Sequence, residues 1–248
     1  MGSAMADAMR IGVTGTDTGV GKTVVAAALV ALLRARGLAA AGMKPVETGV
    51  EPGDAGSDAA LLHAAAGGTD AERDVCPYAF PEPLAPWLAA RRARAVVDPE
   101  VLDRAAARLA NGRDALVIEG AGGLLVPLAP GLDYARLFAR WGARLVVVAA
   151  DRLGVLNHTL LTVEAARRAG IDVAGVVLSA AGHAPEDRSP ATNRAALEEL
   201  MPGVPVVSFG RVARARDPRA LAEEAGRSGL HLLLPALFRA ASPNPSRP

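Results

Sequence analysis

The sequence predicts an α/β fold of three layers, with helices on both faces of a mainly parallel central sheet. Two features carry that prediction. Short runs of Val, Leu, Ile and Ala recur without polar alternation, the pattern of parallel strands covered on both faces. Longer stretches with helical apolar spacing separate them, so strand and helix alternate along the chain. At 248 residues, 51% hydrophobic and 21% charged, the chain can bury a large core in one domain.

Residues 10–14 read as the first strand. Residues 22–36 contain the longest apolar run, 24–33, and read as a helix that Gly37 ends. A second strand follows at 38–43. Helices at 58–66 and 99–110 lead to a third strand at 115–119, which runs into Gly120, Gly122 and Gly123. Alternation is then regular: strand 144–150, helix 157–169, strand 173–179, helix 190–201, strand 204–208 and helix 218–227. Four prolines within 77–86 mark a wandering loop. Residues 1–9 are expected to be a frayed terminus and 242–248 a disordered tail, which leaves a single domain at 10–241.

Charge and composition exclude several functions. The 27 basic and 26 acidic side chains leave a net charge of +1, far from the basic face that phosphate-backbone binders need, so no nucleic-acid partner is expected. The single Cys76 cannot form an internal disulfide and reads as a small buried residue. The run 24–33, flanked by Lys22 and Arg34, falls short of the roughly 20 residues that span a bilayer. With no signal peptide ahead of it, a soluble cytoplasmic protein is expected. Of the 27 basic residues 25 are arginine, which leaves Lys22 and Lys44 as the only lysines. In so arginine-rich a chain, a retained lysine marks a position suited to a compact ammonium rather than a planar fork.

Gly15-Thr16-Asp17-Thr18-Gly19-Val20-Gly21-Lys22-Thr23 follows the first strand and opens the first helix, the context of a phosphate-binding loop. The fold expected is therefore the three-layer P-loop NTPase fold. Loop amides as far as Val24 would face an anion, Lys22 would reach the outer phosphates, and the Thr23 hydroxyl would serve Mg²⁺. The first glycine stands one place earlier than the standard motif requires, so the loop is one residue longer.

A longer loop of this kind occurs in the P-loop branch that includes dethiobiotin synthetases and partition-type ATPases. Lys44-Pro45-Val46-Glu47-Thr48-Gly49 leaves the second strand, Glu119-Gly120-Ala121-Gly122-Gly123 leaves the third, and Gly154-Val155-Leu156-Asn157-His158 opens a later helix. In order and spacing these resemble the dethiobiotin synthetase family over roughly residues 10–208. Partition-type ATPases carry a second lysine near the start of the loop, where this chain has Thr16 and Asp17. The amidating P-loop synthetases need an additional glutaminase domain with a nucleophilic cysteine, for which this chain has neither the length nor the context.

The resemblance implies an ATP- and Mg²⁺-dependent cyclo-ligase of biotin biosynthesis that joins CO₂ to 7,8-diaminononanoate. It assigns catalytic roles to Lys22, Lys44, Thr18 and Thr48, and Mg²⁺ ligation to Thr23, Asp58 and Glu119. Asp58 also reads as a possible helix cap, a job that Ser57 beside it could take. Lys44 and Thr48 together with Gly122 would meet the diamino acid near the carbamate. Its distant carboxylate would sit at the helix start Gly154, Val155, Leu156 and Asn157 of a partner subunit, with Asn193 nearby, which makes the protein a homodimer with its site at the interface. His158 reads as packing. Some family members carry glutamate where this chain has Gly19, so no carboxylate role carries over there. Members often place asparagine at the position of Ser179 for the nucleotide base, and Gly210-Arg211-Val212 also departs from the family's pattern, so weak base discrimination is expected. Facing a cleft from a strand end, Lys44 is expected to add little to packing.

Overall fold

The computed structural model describes residues 8–182 and 186–239. Its elements run β1 (Met9–Gly15), α1 (Lys22–Ala35), β2 (Ala40–Met43), β3 (Val46–Thr48), α2 (Asp58–Ala65), α3 (Glu72–Val75), β4 (Tyr78–Phe80), α4 (Pro86–Arg92), α5 (Pro99–Ala110) and β5 (Ala115–Gly123). They continue with β6 (Pro127–Ala129), β7 (Leu132–Asp133), α6 (Tyr134–Arg140), β8 (Arg144–Ala150), α7 (Val155–Arg168), β9 (Val173–Ser179), α8 (Pro190–Leu200), β10 (Val206–Phe209), α9 (Pro218–Arg227), a 3₁₀ turn (Leu230–Leu233) and α10 (Leu234–Leu237).

Six strands form one sheet in the order β10-β9-β8-β1-β5-β2, and each neighbouring pair is parallel. The expected three layers follow from strict alternation along the central strands. In β8, Leu145, Val147 and Ala149 enter one core with Leu102 of α5, Phe138 of α6, Val163 of α7 and Leu197 of α8. Val146, Val148 and Ala150 enter the other with α1, Leu62 of α2 and Leu221 of α9. The central strands are thus mainly apolar because both their faces are covered. Helix α1 is apolar nearly all round for a related reason: it packs on the sheet and is overlaid by α2 and α9. Among the described residues no helix is long and apolar enough to cross a membrane.

The differences from expectation lie in short elements. The segment 77–86, expected as a loop, contains β4, which pairs in parallel with β3 as Val46 to Tyr78 and Thr48 to Phe80. Three-residue strands carry too little periodicity to be read. Its last proline begins α4, at the first helical position where the missing N–H costs nothing. Helix α6 went unread although Asp133 caps it, accepting from the Arg136 amide at 2.8 Å. Met9, expected to belong to a frayed terminus, is the first residue of β1. Residues 1–7 and the expected tail 242–248 lie outside the described residues.

Because all six strands are parallel, their carboxyl ends share one edge. Chain order reverses around β1, whose neighbours are β5 and β8, and ligands in such sheets bind in the crevice at that reversal.

Candidate active site

The phosphate loop grows directly out of β1. Thr16 donates its amide to Val148 O at 3.0 Å, holding the loop's start to β8. A Cβ on Gly15 would lie 2.8 Å from Val20 Cγ2 and 2.9 Å from Lys22 Cδ, so the loop folds back against this residue. That close approach accounts for the early glycine. Gly21, the N-cap of α1, has φ of 91° and no side-chain cap, which leaves the first helix amides for an anion. Lys22 is buried and curls back so that Nζ donates to Asp17 O at 2.8 Å. Burial lowers its pKa from the ordinary lysine value, against the pull of Glu119.

Ser179 lies beneath this loop. Its hydroxyl donates to Val20 O at 2.7 Å and accepts from the Ala181 amide at 3.1 Å. A Cβ on Gly21 would come within 2.9 Å of Ser179 Oγ. The hydroxyl expected near the nucleotide base is therefore engaged in pinning the loop.

At the end of β2 stands Lys44, 3% exposed, with Nζ 2.7 Å from both Asp58 Oδ2 and Glu119 Oε1. This corrects the expectation that Lys44 adds little to packing. Glu119, 0% exposed on β5, also accepts from Thr23 Oγ1 at 2.8 Å, while its Oε2 has no hydrogen-bond partner among the described residues. Burial works against the Lys44 charge, but Glu119 and then Asp58 outweigh it and raise the ammonium's pKa far above the ordinary value. Asp58 is lowered despite its burial, because Lys44 favours its charge. Burial lifts the Glu119 carboxyl above the usual carboxylate range, with Lys44 opposing. Ser57 is the N-cap of α2, its Oγ accepting from the Ala60 amide at 3.0 Å, so the Asp58 carboxylate is free to face Lys44.

These groups line a cavity of about 760 Å³ at the sheet's carboxyl edge, within the range of small-molecule sites. It brings together Thr18, Gly19, Gly21, Lys22, Thr23, Val24, Lys44, Thr48, Asp58, Glu119 and Gly122. Both lysines of the chain share this one cavity. Gly122 has φ of 67°, and a Cβ there would meet Val126 at 2.9 Å and Thr18 Oγ1 at 3.7 Å. The donor set fits a hard divalent cation: a hydroxyl and two carboxylates, one of which, that of Glu119, has an orphaned buried oxygen. Among the described residues no cluster of three or more His, Cys, Asp or Glu forms a metal cage. Mg²⁺ needs none, since it completes its octahedron with phosphate oxygens and water.

The helix-start residues expected to hold a carboxylate do not line this cavity. Gly154 caps α7 with φ of 94° and no side-chain cap, followed by the buried Val155, then Leu156 and Asn157. Asn193 is 5% exposed rather than solvated, and its Nδ2 donates to Asp151 Oδ1 at 2.8 Å and Ser189 Oγ at 3.3 Å, tying α8 to the loop before α7. Cys76 is half-buried and donates to Tyr78 O at 3.3 Å; burial pushes its thiol up to about 12, which removes it as a nucleophile at neutral pH. Two charged lining residues, Glu47 and Arg216, are not singled out by the sequence. Glu47 sits inside a quoted motif with nothing to distinguish it. Arg216 donates to Ala55 O at 2.8 Å and to Gly56 O in the loop before α2, and is one arginine among many.

A family model described as an AAA domain matches residues 9–217. An ATP-dependent dethiobiotin synthetase from Anaeromyxobacter sp. (strain Fw109-5) is 45% identical over 206 residues, covering 83% of this chain and 90% of the relative. The chain belongs to the dethiobiotin synthetase family. The relative of the same name from Anaeromyxobacter dehalogenans (strain 2CP-C) is 51% identical over 175 residues, 71% of this chain and 77% of that one. A dethiobiotin synthetase from Bacillus cereus (strain G9842) is 39% identical, covering 79% and 81%. Among solved structures, the septum site-determining protein MinD of Pyrococcus horikoshii, complexed with Mg-ADP, superposes with a TM-score of 0.51 at 18% identity over 92% of this chain and 95% of its own. That likeness concerns the P-loop fold alone, which the dethiobiotin synthetase family shares with such ATPases.

Proposed function

We propose that the chain closes the cyclic urea of dethiobiotin from 7,8-diaminononanoate and CO₂ at the expense of ATP, as an Mg²⁺-dependent cyclo-ligase of biotin biosynthesis. The observation that carries this reading is the convergence of both lysines, the phosphate loop and the Asp58–Glu119 pair on one cavity. One substrate amine attacks CO₂ and loses a proton to give a carbamate. A carbamate oxygen then attacks the γ-phosphorus as the bond to ADP breaks. The second amine attacks the carbonyl carbon and phosphate leaves, which closes the ring.

No enzyme nucleophile is required, so the protein's task is orientation and charge. Lys22 exchanges its bond to Asp17 O for the outer phosphates, and the loop amides hold the remainder. Lys44 places a compact positive charge where carbamate and γ-phosphoryl group meet, and the Thr18 and Thr48 hydroxyls orient the same oxygens. Thr23, Asp58 and Glu119 would hold Mg²⁺, which when bound offsets the negative charge of the transferring group. The helix start at Gly154 to Asn157, which has no side-chain cap although the Val155 amide donates to Arg152 O at 3.1 Å, suits the substrate's distant carboxylate. Because these residues do not line the chain's own cavity, they support a homodimer in which each helix start serves the partner's site. We read the working unit as the single domain 10–241, acting in the cytoplasm on small molecules, without nucleic acid or membrane.

This reading predicts that ADP is released only when both the diamino acid and bicarbonate are present. ADP production at the same rate with either one omitted would contradict it.

A further inference from the structure

Glu47 lines the cavity at 5% exposure yet has no part in the chemistry above. Its Oε1 accepts from the Asp58 amide at 2.7 Å and its Oε2 from the Ala59 amide at 3.0 Å. With Ser57 Oγ on the Ala60 amide, the first three amides of α2 are each taken by a side chain. Ser57 alone already caps this helix of eight residues, and burying a carboxylate as a second cap is costly. The arrangement does more than stabilise a helix.

What it fixes is the place of Asp58. Glu47 belongs to β3, held in register against β4, and Lys44, three residues earlier, is anchored by its amide to Val75 O at 2.7 Å. One stretch of chain therefore grips Asp58 twice: Lys44 Nζ holds its carboxylate and Glu47 holds its backbone. We propose that Glu47 is a positioning residue that sets Asp58 for Mg²⁺-dependent nucleotide binding. The proposal rests on the reading of Asp58 as a ligand of that ion.

The test is the affinity for ADP by titration calorimetry, with Mg²⁺ and with EDTA, in the full-length protein. Loss of a group that orients a metal ligand typically costs 10- to 100-fold in metal affinity. Glu47→Gln presents an amide N–H₂ to one of the two backbone N–H groups, so the Mg²⁺-dependent gain in ADP affinity should fall about tenfold, while affinity in EDTA stays within about twofold. Glu47→Asp, too short to span both amides, should lose part of the same gain and serves if the glutamine variant does not fold. Ser57→Ala removes a neighbouring cap bond and should lower the melting temperature while keeping the gain. Asp58→Asn should abolish it. A full gain in both Glu47 variants alongside its loss in Asp58→Asn overturns the positioning role alone. Loss of the gain in Ser57→Ala overturns it too, by making helix stability the cause. A full gain in Asp58→Asn overturns the metal reading and the proposal with it.

Discussion

Lys44→Arg is expected to lower kcat/KM for the diamino acid about a hundredfold, roughly 2.7 kcal/mol of transition-state stabilisation. Composition alone would call the change silent, since the chain uses arginine at every basic position but two. The geometry says otherwise. The Lys44 ammonium is buried with a carboxylate oxygen 2.7 Å away on each of two sides, one of them on the fully buried Glu119. A guanidinium is larger and planar, and to enter this space it must displace a carboxylate, the carbamate or the γ-phosphoryl group. Stability should fall as well, by about 1–3 kcal/mol, the usual cost of overpacking a close-fitted interior. ADP affinity measured in EDTA, which rests on Lys22 and the loop amides, should survive. Steady-state kinetics, thermal melting and ADP titration separate the three effects, and near-normal kcat/KM would remove the point-charge role.

Mixing two inactive proteins should restore activity if the site spans two subunits. A Lys44→Arg chain retains an intact α7 start, and a Gly154→Val chain, strained at a φ of 94°, retains an intact Lys44. In half of randomly reassorted dimers, one of the two sites would draw Lys44 from one chain and the helix start from the other. Turnover should therefore recover to about a quarter of wild type, the statistical expectation for a two-fold dimer. No recovery after demonstrated subunit exchange would place both elements in the same chain's site.

The long central strands and helices were legible because coverage on both faces leaves a plain mark. The runs that became β8, β9, α5 and α9 end where the sequence predicts. Several short elements were not: β3 and β4, three residues each, are too short for a period, and α4 hides behind prolines that suit its first position. The functional residues were legible where a backbone conformation or a scarce residue type singled them out, as with Gly21 and the two lysines. Their pairings were not. Asp58 and Glu119 lie 14 and 75 residues from Lys44; the parallel pairing of β2 with β5 brings Glu119 to it, and the packing of α2 against β2 brings Asp58. Nothing local marks Ser179, 159 residues from the Val20 carbonyl it holds.

The central claim is that the γ-phosphoryl group passes to a carbamate oxygen. With CO₂ and bicarbonate labelled with ¹⁸O and a reaction short enough to outrun exchange with water, the carbamate begins with labelled oxygens. One of these bonds to phosphorus and departs with phosphate when the ring closes, while the other stays as the ring carbonyl. Mass spectrometry should therefore find one ¹⁸O in the phosphate for each dethiobiotin formed. Phosphate without the label, beside labelled dethiobiotin, would mean that ATP is hydrolysed apart from the carbamate and would contradict the account.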